Sequence, residues 1–268
     1  MQLRKMSVAG SFYPDDETEL KRYFKHFDKL YDENFTKSNT SAKIAIVPHA
    51  GYIYSGFTAS VAYKELQNSS INTYVVIGPS HRVAFEGVSI CKDESYETPL
   101  GEVKSDLNLV DILVDEFALK YRTEAHYEHS TETQFPFVKY YLPDARIVEL
   151  VYSKQNPEAL SQIIDFILEQ KNYGVIISTD LSHFYNLGEA KKLDNICLNA
   201  ISNLDVKVLE KGCKACGIIG VKAIIQSAKK LNMKYKLLDY RTSADFSKDE
   251  SRVVGYTSGI FFATKLIK

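Results

Sequence analysis

Three histidines, His49, His81 and His183, each follow a short apolar, β-branched run. Imidazoles titrate near neutrality and ligate transition metals, so three in matching contexts suggest a metal centre or a proton-handling site. The runs are residues 43–47, 73–77 and 174–178, and each ends in a turn: Pro48-His49-Ala50-Gly51, Gly78-Pro79-Ser80-His81 and Thr179-Asp180-Leu181-Ser182-His183. Continuous apolar runs of this length are the pattern of buried parallel strands. Open α/β sheets bind ligands beyond the carboxyl ends of their strands. The three imidazoles are therefore expected at one edge of one sheet.

The surrounding residues add chemistry. Tyr52 and Tyr54 follow the first histidine and can wall a pocket. Asp180 stands three residues before His183, where a carboxylate can orient an imidazole or simply cap a helix. The cluster Glu128-His129-Ser130-Thr131-Glu132 could turn His129 toward the same edge. A helix starting at Ser130 would place Glu132 in its first turn, a purely structural role. His26 and His126 have no such context and read as surface residues. Cys213 and Cys216 have dithiol spacing, but a lone CxxC without a second pair is weak for zinc. The apolar helical pattern starts after Cys216, so that thiol is expected near a helix N-terminus, where a thiolate is favoured. Cys213 reads as a spectator thiol, able to pair with Cys216 on oxidation.

The elements that must position these residues alternate along the chain. Helical spacing covers 15–30, 56–67, 105–120, 157–170, 188–203 and 216–231, and further strands are expected at 85–91, 145–151, 235–240 and 252–262. Residues 32–41 read as a polar loop. The alternation predicts a layered α/β fold with a mostly parallel or mixed central sheet flanked by helices.

The chain has 268 residues and a net charge of −1, enough for a substantial core and without the basic excess of a nucleic-acid binder. No apolar run approaches the roughly 20 residues that span a bilayer. Residues 1–12 lack the apolar segment of a signal peptide. Four cysteines without a disulfide-scaffold pattern suggest a reducing, cytoplasmic setting.

With these residues in view, the chain resembles the Memo family, component B of the set called AmmeMemoRadiSam. The likeness runs through residues 9–14 (Ala-Gly-Ser-Phe-Tyr-Pro), 48–52 (Pro-His-Ala-Gly-Tyr), 78–81 (Gly-Pro-Ser-His) and 97–102 (Glu-Thr-Pro-Leu-Gly-Glu). It continues through 128–130 (Glu-His-Ser), 142–146 (Leu-Pro-Asp-Ala-Arg), 178–183 (Ser-Thr-Asp-Leu-Ser-His), 215–217 (Ala-Cys-Gly) and 249–256. It implies one Memo-like domain over 1–268, related to the class III extradiol dioxygenases and their non-haem Fe(II). By that resemblance His49, His81 and Cys216 are metal ligands, with cysteine where the dioxygenases carry a carboxylate. Asp180 and His183 stand beside them, and His129 joins His183 as a catalytic candidate. Phe12 replaces the tryptophan of some relatives and shares the pocket wall with Tyr52 and Tyr54.

Two imidazoles and a thiolate suit a mononuclear transition metal, with Fe(II) or copper favoured and zinc as a third candidate. Two readings lead: O₂-linked redox chemistry, or a non-catalytic metal-, small-molecule- or peptide-binding module; a zinc hydrolase with metal-bound hydroxide is a third, disfavoured because the resemblance is to oxygen-handling proteins. The resemblance also implies a radical-SAM protein and an AMMECR1-like protein as partners, and neither nucleic acid nor membrane.

Overall fold

The computed structural model describes residues 2–36 and 40–263. Its strands are β1 (Leu3–Arg4), β2 (Ile44–Val47), β3 (Thr73–Pro79), β4 (Val88–Ile90), β5 (Ser95–Tyr96), β6 (Val103–Lys104), β7 (Arg146–Tyr152), β8 (Tyr173–Ser178), β9 (His183–Tyr185), β10 (Met233–Thr242) and β11 (Val253–Ala263). The main sheet runs β10-β11-β2-β8-β3-β7-β4. Its centre, β2-β8-β3-β7, is parallel, while β4, β11 and β10 join antiparallel. The expected layered α/β architecture is present, with a mixed sheet. β1, β5 and β6 form a small separate sheet, and β9 pairs with β11.

Alternation along the central strands feeds two cores. Ala45 and Val47 of β2, with Tyr74 and Val76 of β3, pack on one face with the helices Glu17–Asn34, Tyr52–Leu66 and Phe135–Tyr141. Ile44 and Ile46, with Val75 and Ile77, face the helices Leu107–Phe117, Pro157–Glu169 and Ile218–Lys230. A strand buried on both faces reads as a continuous apolar run, which is why β2, β3 and β8 are visible in the sequence.

The helix Tyr52–Leu66 begins four residues before its expected start. It is apolar nearly all round and packs between the sheet and the helix Glu17–Asn34, so it has no polar stripe to mark its ends. The helix Glu17–Asn34 runs into the segment expected as a loop, and residues 37–39 of that segment lie outside the described residues. Among the described residues, no helix is long and apolar enough to cross a membrane.

Two sequence expectations are corrected. His126 is buried, only 2% exposed, at the end of a 3-10 turn (Thr123–His126). Cys213 is no spectator: it is joined to Cys197 in a disulfide that spans 16 residues of sequence. Cys197 lies on the buried face of the helix Leu187–Ser202, where an amphipathic pattern gives a thiol no distinguishing mark. His26 is exposed, as expected.

Candidate metal centre

β2, β8 and β3 are neighbours, so the turns that follow them open on one side of the sheet. The first delivers His49, the second Asp180 and the third His81. Cys216 arrives from the segment before the helix Ile218–Lys230, whose N-cap is Gly217. A Cβ at position 217 would meet the Thr179 side chain at 2.7 Å, so glycine lets that segment close on the β8 turn. The Cys216 N–H donates to Asp180 O at 3.2 Å, and the Asp180 N–H donates to the sulfur at 3.2 Å.

One nitrogen each of His49 and His81 and the sulfur of Cys216 all lie within 4.8 Å of one another. His49 Nε2 is 3.3 Å from Cys216 Sγ. A metal bonded at about 2.0–2.1 Å to nitrogen and about 2.3 Å to sulfur separates them by roughly 3.5 Å at a tetrahedral angle. The donor set therefore fits a transition metal.

The outer nitrogens of both imidazoles are held. His49 Nδ1 is 3.0 Å from Ser178 Oγ, which also accepts from Gln134 Nε2 at 3.0 Å. His81 Nδ1 is 3.1 Å from Glu128 Oε1, and the His81 N–H donates to Glu128 Oε2 at 2.6 Å. Such contacts fix tautomer and ring direction, leaving the inner Nε2 atoms for a ligand role. Ser178 and Glu128 were not singled out for this from the sequence, because polar residues beside turns look like ordinary caps. Gly78 matters here too. A Cβ there would lie 2.5 Å from Ser130 Oγ, so glycine lets the turn His129–Glu132, with Glu128 before it, sit against β3.

Asp180 does not take a hydrogen bond from an imidazole. Its Oδ1 accepts the His49 backbone N–H at 2.8 Å, while Oδ2 stays 4.0 Å from His49 Nε2. It thus anchors the loop that carries His49. His129 Nδ1 is 2.9 Å from Glu128 Oε1, and its ring centroid lies 4.5 Å from that of His81 and 5.3 Å from that of His49. His183 Nδ1 is 2.9 Å from Leu181 O, and the His183 charge is felt at both His49 and Asp180. His49, His81 and His129 pack ring beside ring at this edge, and His183 on β9 is near enough for its charge to act on His49 and Asp180.

Burial dominates the electrostatics. It lowers the basicity of His49, reinforced by the neighbouring His129 and His81. It pushes the Cys216 thiol up to about 12, with the Asp180 charge adding to the rise and the Asp180 N–H opposing it. Burial thus opposes the thiolate preference expected from the helix N-terminus. Asp180 is raised by the same burial. Burial would raise Glu128 as well, but hydrogen bonds from His129 and His81 outweigh it and hold the carboxyl well below its usual range.

Phe12, Tyr52 and Tyr54 line one open cleft of about 400 Å³. Phe12 stacks on His129 with ring centroids 4.5 Å apart, so the cleft abuts the imidazole cluster. Tyr52 is mostly a core residue, and its hydroxyl donates to Thr133 O at 2.7 Å. Glu132 has more than a first-turn role: it is buried and accepts from the Ser7 and Val8 N–H groups, the Tyr13 hydroxyl and Arg4.

Known proteins resemble this chain over nearly its whole length. A family profile described as Memo-like protein matches residues 4–260. A "MEMO1 family protein" of Methanobrevibacter smithii is 36% identical, covering 97% of this chain and 99% of the relative. Another from Sulfurisphaera tokodaii is 35% identical over 96% of this chain and 98% of its own length. One from Aquifex aeolicus is 33% identical over 97% and 100%. The chain belongs to the Memo family.

Proposed function

We propose that this chain is a metal-dependent oxidoreductase in which His49, His81 and Cys216 hold one transition metal, Fe(II) or copper in preference to zinc. The observation that carries the reading is the convergence of those three donor atoms within 4.8 Å. Ser178 and Glu128 support it by fixing the outer nitrogens of both imidazoles. A bound Fe or Cu would supply one-electron chemistry with O₂.

The chain's own residues supply the rest. Asp180 positions His49 through its backbone N–H. With Nδ1 turned to Leu181 O, His183 keeps Nε2 for proton transfer, and His129, held by Glu128, is the second proton carrier. The cleft lined by Phe12, Tyr52 and Tyr54 seats a small organic substrate or a peptide side chain. The family resemblance supports a radical-SAM protein and an AMMECR1-like protein as partners.

Anaerobic purification with metal analysis, followed by measured O₂ uptake, tests the reading. Uptake proportional to bound Fe or Cu, abolished in His49→Ala, supports it. Stoichiometric metal that is inert to O₂ with every candidate substrate favours a binding module instead.

A further inference from the structure

A second group of metal-binding side chains lies in the interior, apart from the three residues above. Cys91 follows β4, His126 ends the 3-10 turn Thr123–His126, and Glu149 lies in β7. All three are buried, and one ligand atom from each falls within 4.8 Å of the others.

Each side chain is held from behind. Glu149 Oε1 accepts the Thr131 hydroxyl at 2.5 Å, leaving Oε2 inward. His126 Nε2 is 2.9 Å from Ser89 Oγ, leaving Nδ1 inward. Burial and the Glu149 charge push the Cys91 thiol well above its usual range, against the opposing Asp93 N–H and Tyr96 hydroxyl, so a bound cation would be needed to hold it as thiolate. The inward atoms, buried His126 Nδ1 and Glu149 Oε2, lie 2.9 Å apart as an ion pair whose angle is poor for a hydrogen bond. A buried pair so poorly aligned calls for an explanation, and an ion seated against both atoms and the nearby sulfur is one.

Charge agrees. Arg4 is the nearby cation, and its guanidinium is engaged by Glu132 and His126 O, with Nε 4.0 Å from Glu149 Oε2. Arg4 lies between two buried carboxylates, Glu149 and Glu132, and buried Asp93 is a third beside Cys91. One divalent ion would offset that excess of negative charge. A cavity of about 80 Å³, lined by Arg4, Asp93, Tyr121 and His126, adjoins the cluster and has room for a water as the remaining ligand.

We propose that Cys91, His126 and Glu149 form a second, structural site for a zinc-type divalent ion that ties β4, the 3-10 turn and β7 together. One sulfur, one nitrogen and one oxygen donor suit borderline-soft Zn²⁺. The ion enters as the chain folds, because all three ligands are closed off from solvent.

The test is zinc content after chelation, unfolding and refolding in zinc(II), anaerobically and without thiol reductant so that the Cys197–Cys213 disulfide stays closed, counted per chain by elemental analysis. Wild type should hold two ions. His49→Ala/Cys216→Ser should keep one, and Cys91→Ser or Glu149→Gln should lose one. Failure of Cys91→Ser to fold would not matter, since the double variant leaves the buried site intact. No zinc in that double variant overturns the proposal, in favour of a plain His126–Glu149 ion pair. One zinc in wild type, lost in Cys91→Ser and kept in the double variant, upholds this site while removing zinc from the other.

Discussion

Glu128 grips His81 twice: Oε2 accepts the His81 backbone N–H at 2.6 Å, and Oε1 faces Nδ1 at 3.1 Å. One carboxylate thus sets both the position of the loop and the direction of the ring. Outer partners of this kind are worth roughly 10–100-fold in metal affinity. Glu128→Gln should therefore weaken metal binding by about that factor while leaving the fold intact. A competition titration with a chromophoric chelator measures it, and an unchanged affinity would remove Glu128 from the site.

His183 should separate binding from turnover. Its Nδ1 is committed to Leu181 O, outside the three convergent donors. His183→Ala should retain metal and lose turnover by about 10²–10⁴-fold, the range for a lost general acid or base. His49→Ala should lose the metal. Equal metal loss in both variants would make His183 a ligand.

The two neighbouring cysteines should part company. Cys216→Ser should lose the metal. Cys213→Ser should keep it but lose the link to Cys197, which closes a loop worth about 3 kcal/mol. Metal content and denaturant midpoints of the two variants decide this. Metal loss in Cys213→Ser with retention in Cys216→Ser would reverse the assignment.

Asp194 gives a pH signature. Burial raises its carboxyl above the usual value, against hydrogen bonds from Ser182 and Tyr240. A raised folded-state pKa means that the fold binds the proton more tightly than the unfolded chain. Its stabilising contribution is complete below about 3.9 and is lost as pH rises through the raised value. Wild type should therefore gain stability relative to Asp194→Asn as pH falls from 7 toward 4. Melting temperatures of both proteins across that range check the sign. A gap that moves the other way contradicts it.

Much of this arrangement was legible in the sequence. The strands ending at Val47, Pro79 and Ser178 carry doubly buried runs, and each is followed by a site residue. That repeated grammar is enough to place the edge from sequence. What stayed hidden depended on contacts between distant segments. Nothing local to Cys197 or Cys213 marks them as partners, since a helix face and a loop meet only in the fold. His126 looked solitary because Glu149 and Cys91 come from β7 and the end of β4. Ser178 closes β8 like any strand-end serine, and its role appears only when His49 arrives from β2.

In the proposed site, two imidazoles and one thiol of this chain hold a single metal. The most direct test is anaerobic Fe(II) titration of wild type, His49→Ala, His81→Ala and Cys216→Ser, with bound iron counted per chain. One iron is expected in wild type, with at least about tenfold weaker binding in each variant. Undiminished iron binding in Cys216→Ser, or in either histidine variant, would contradict it.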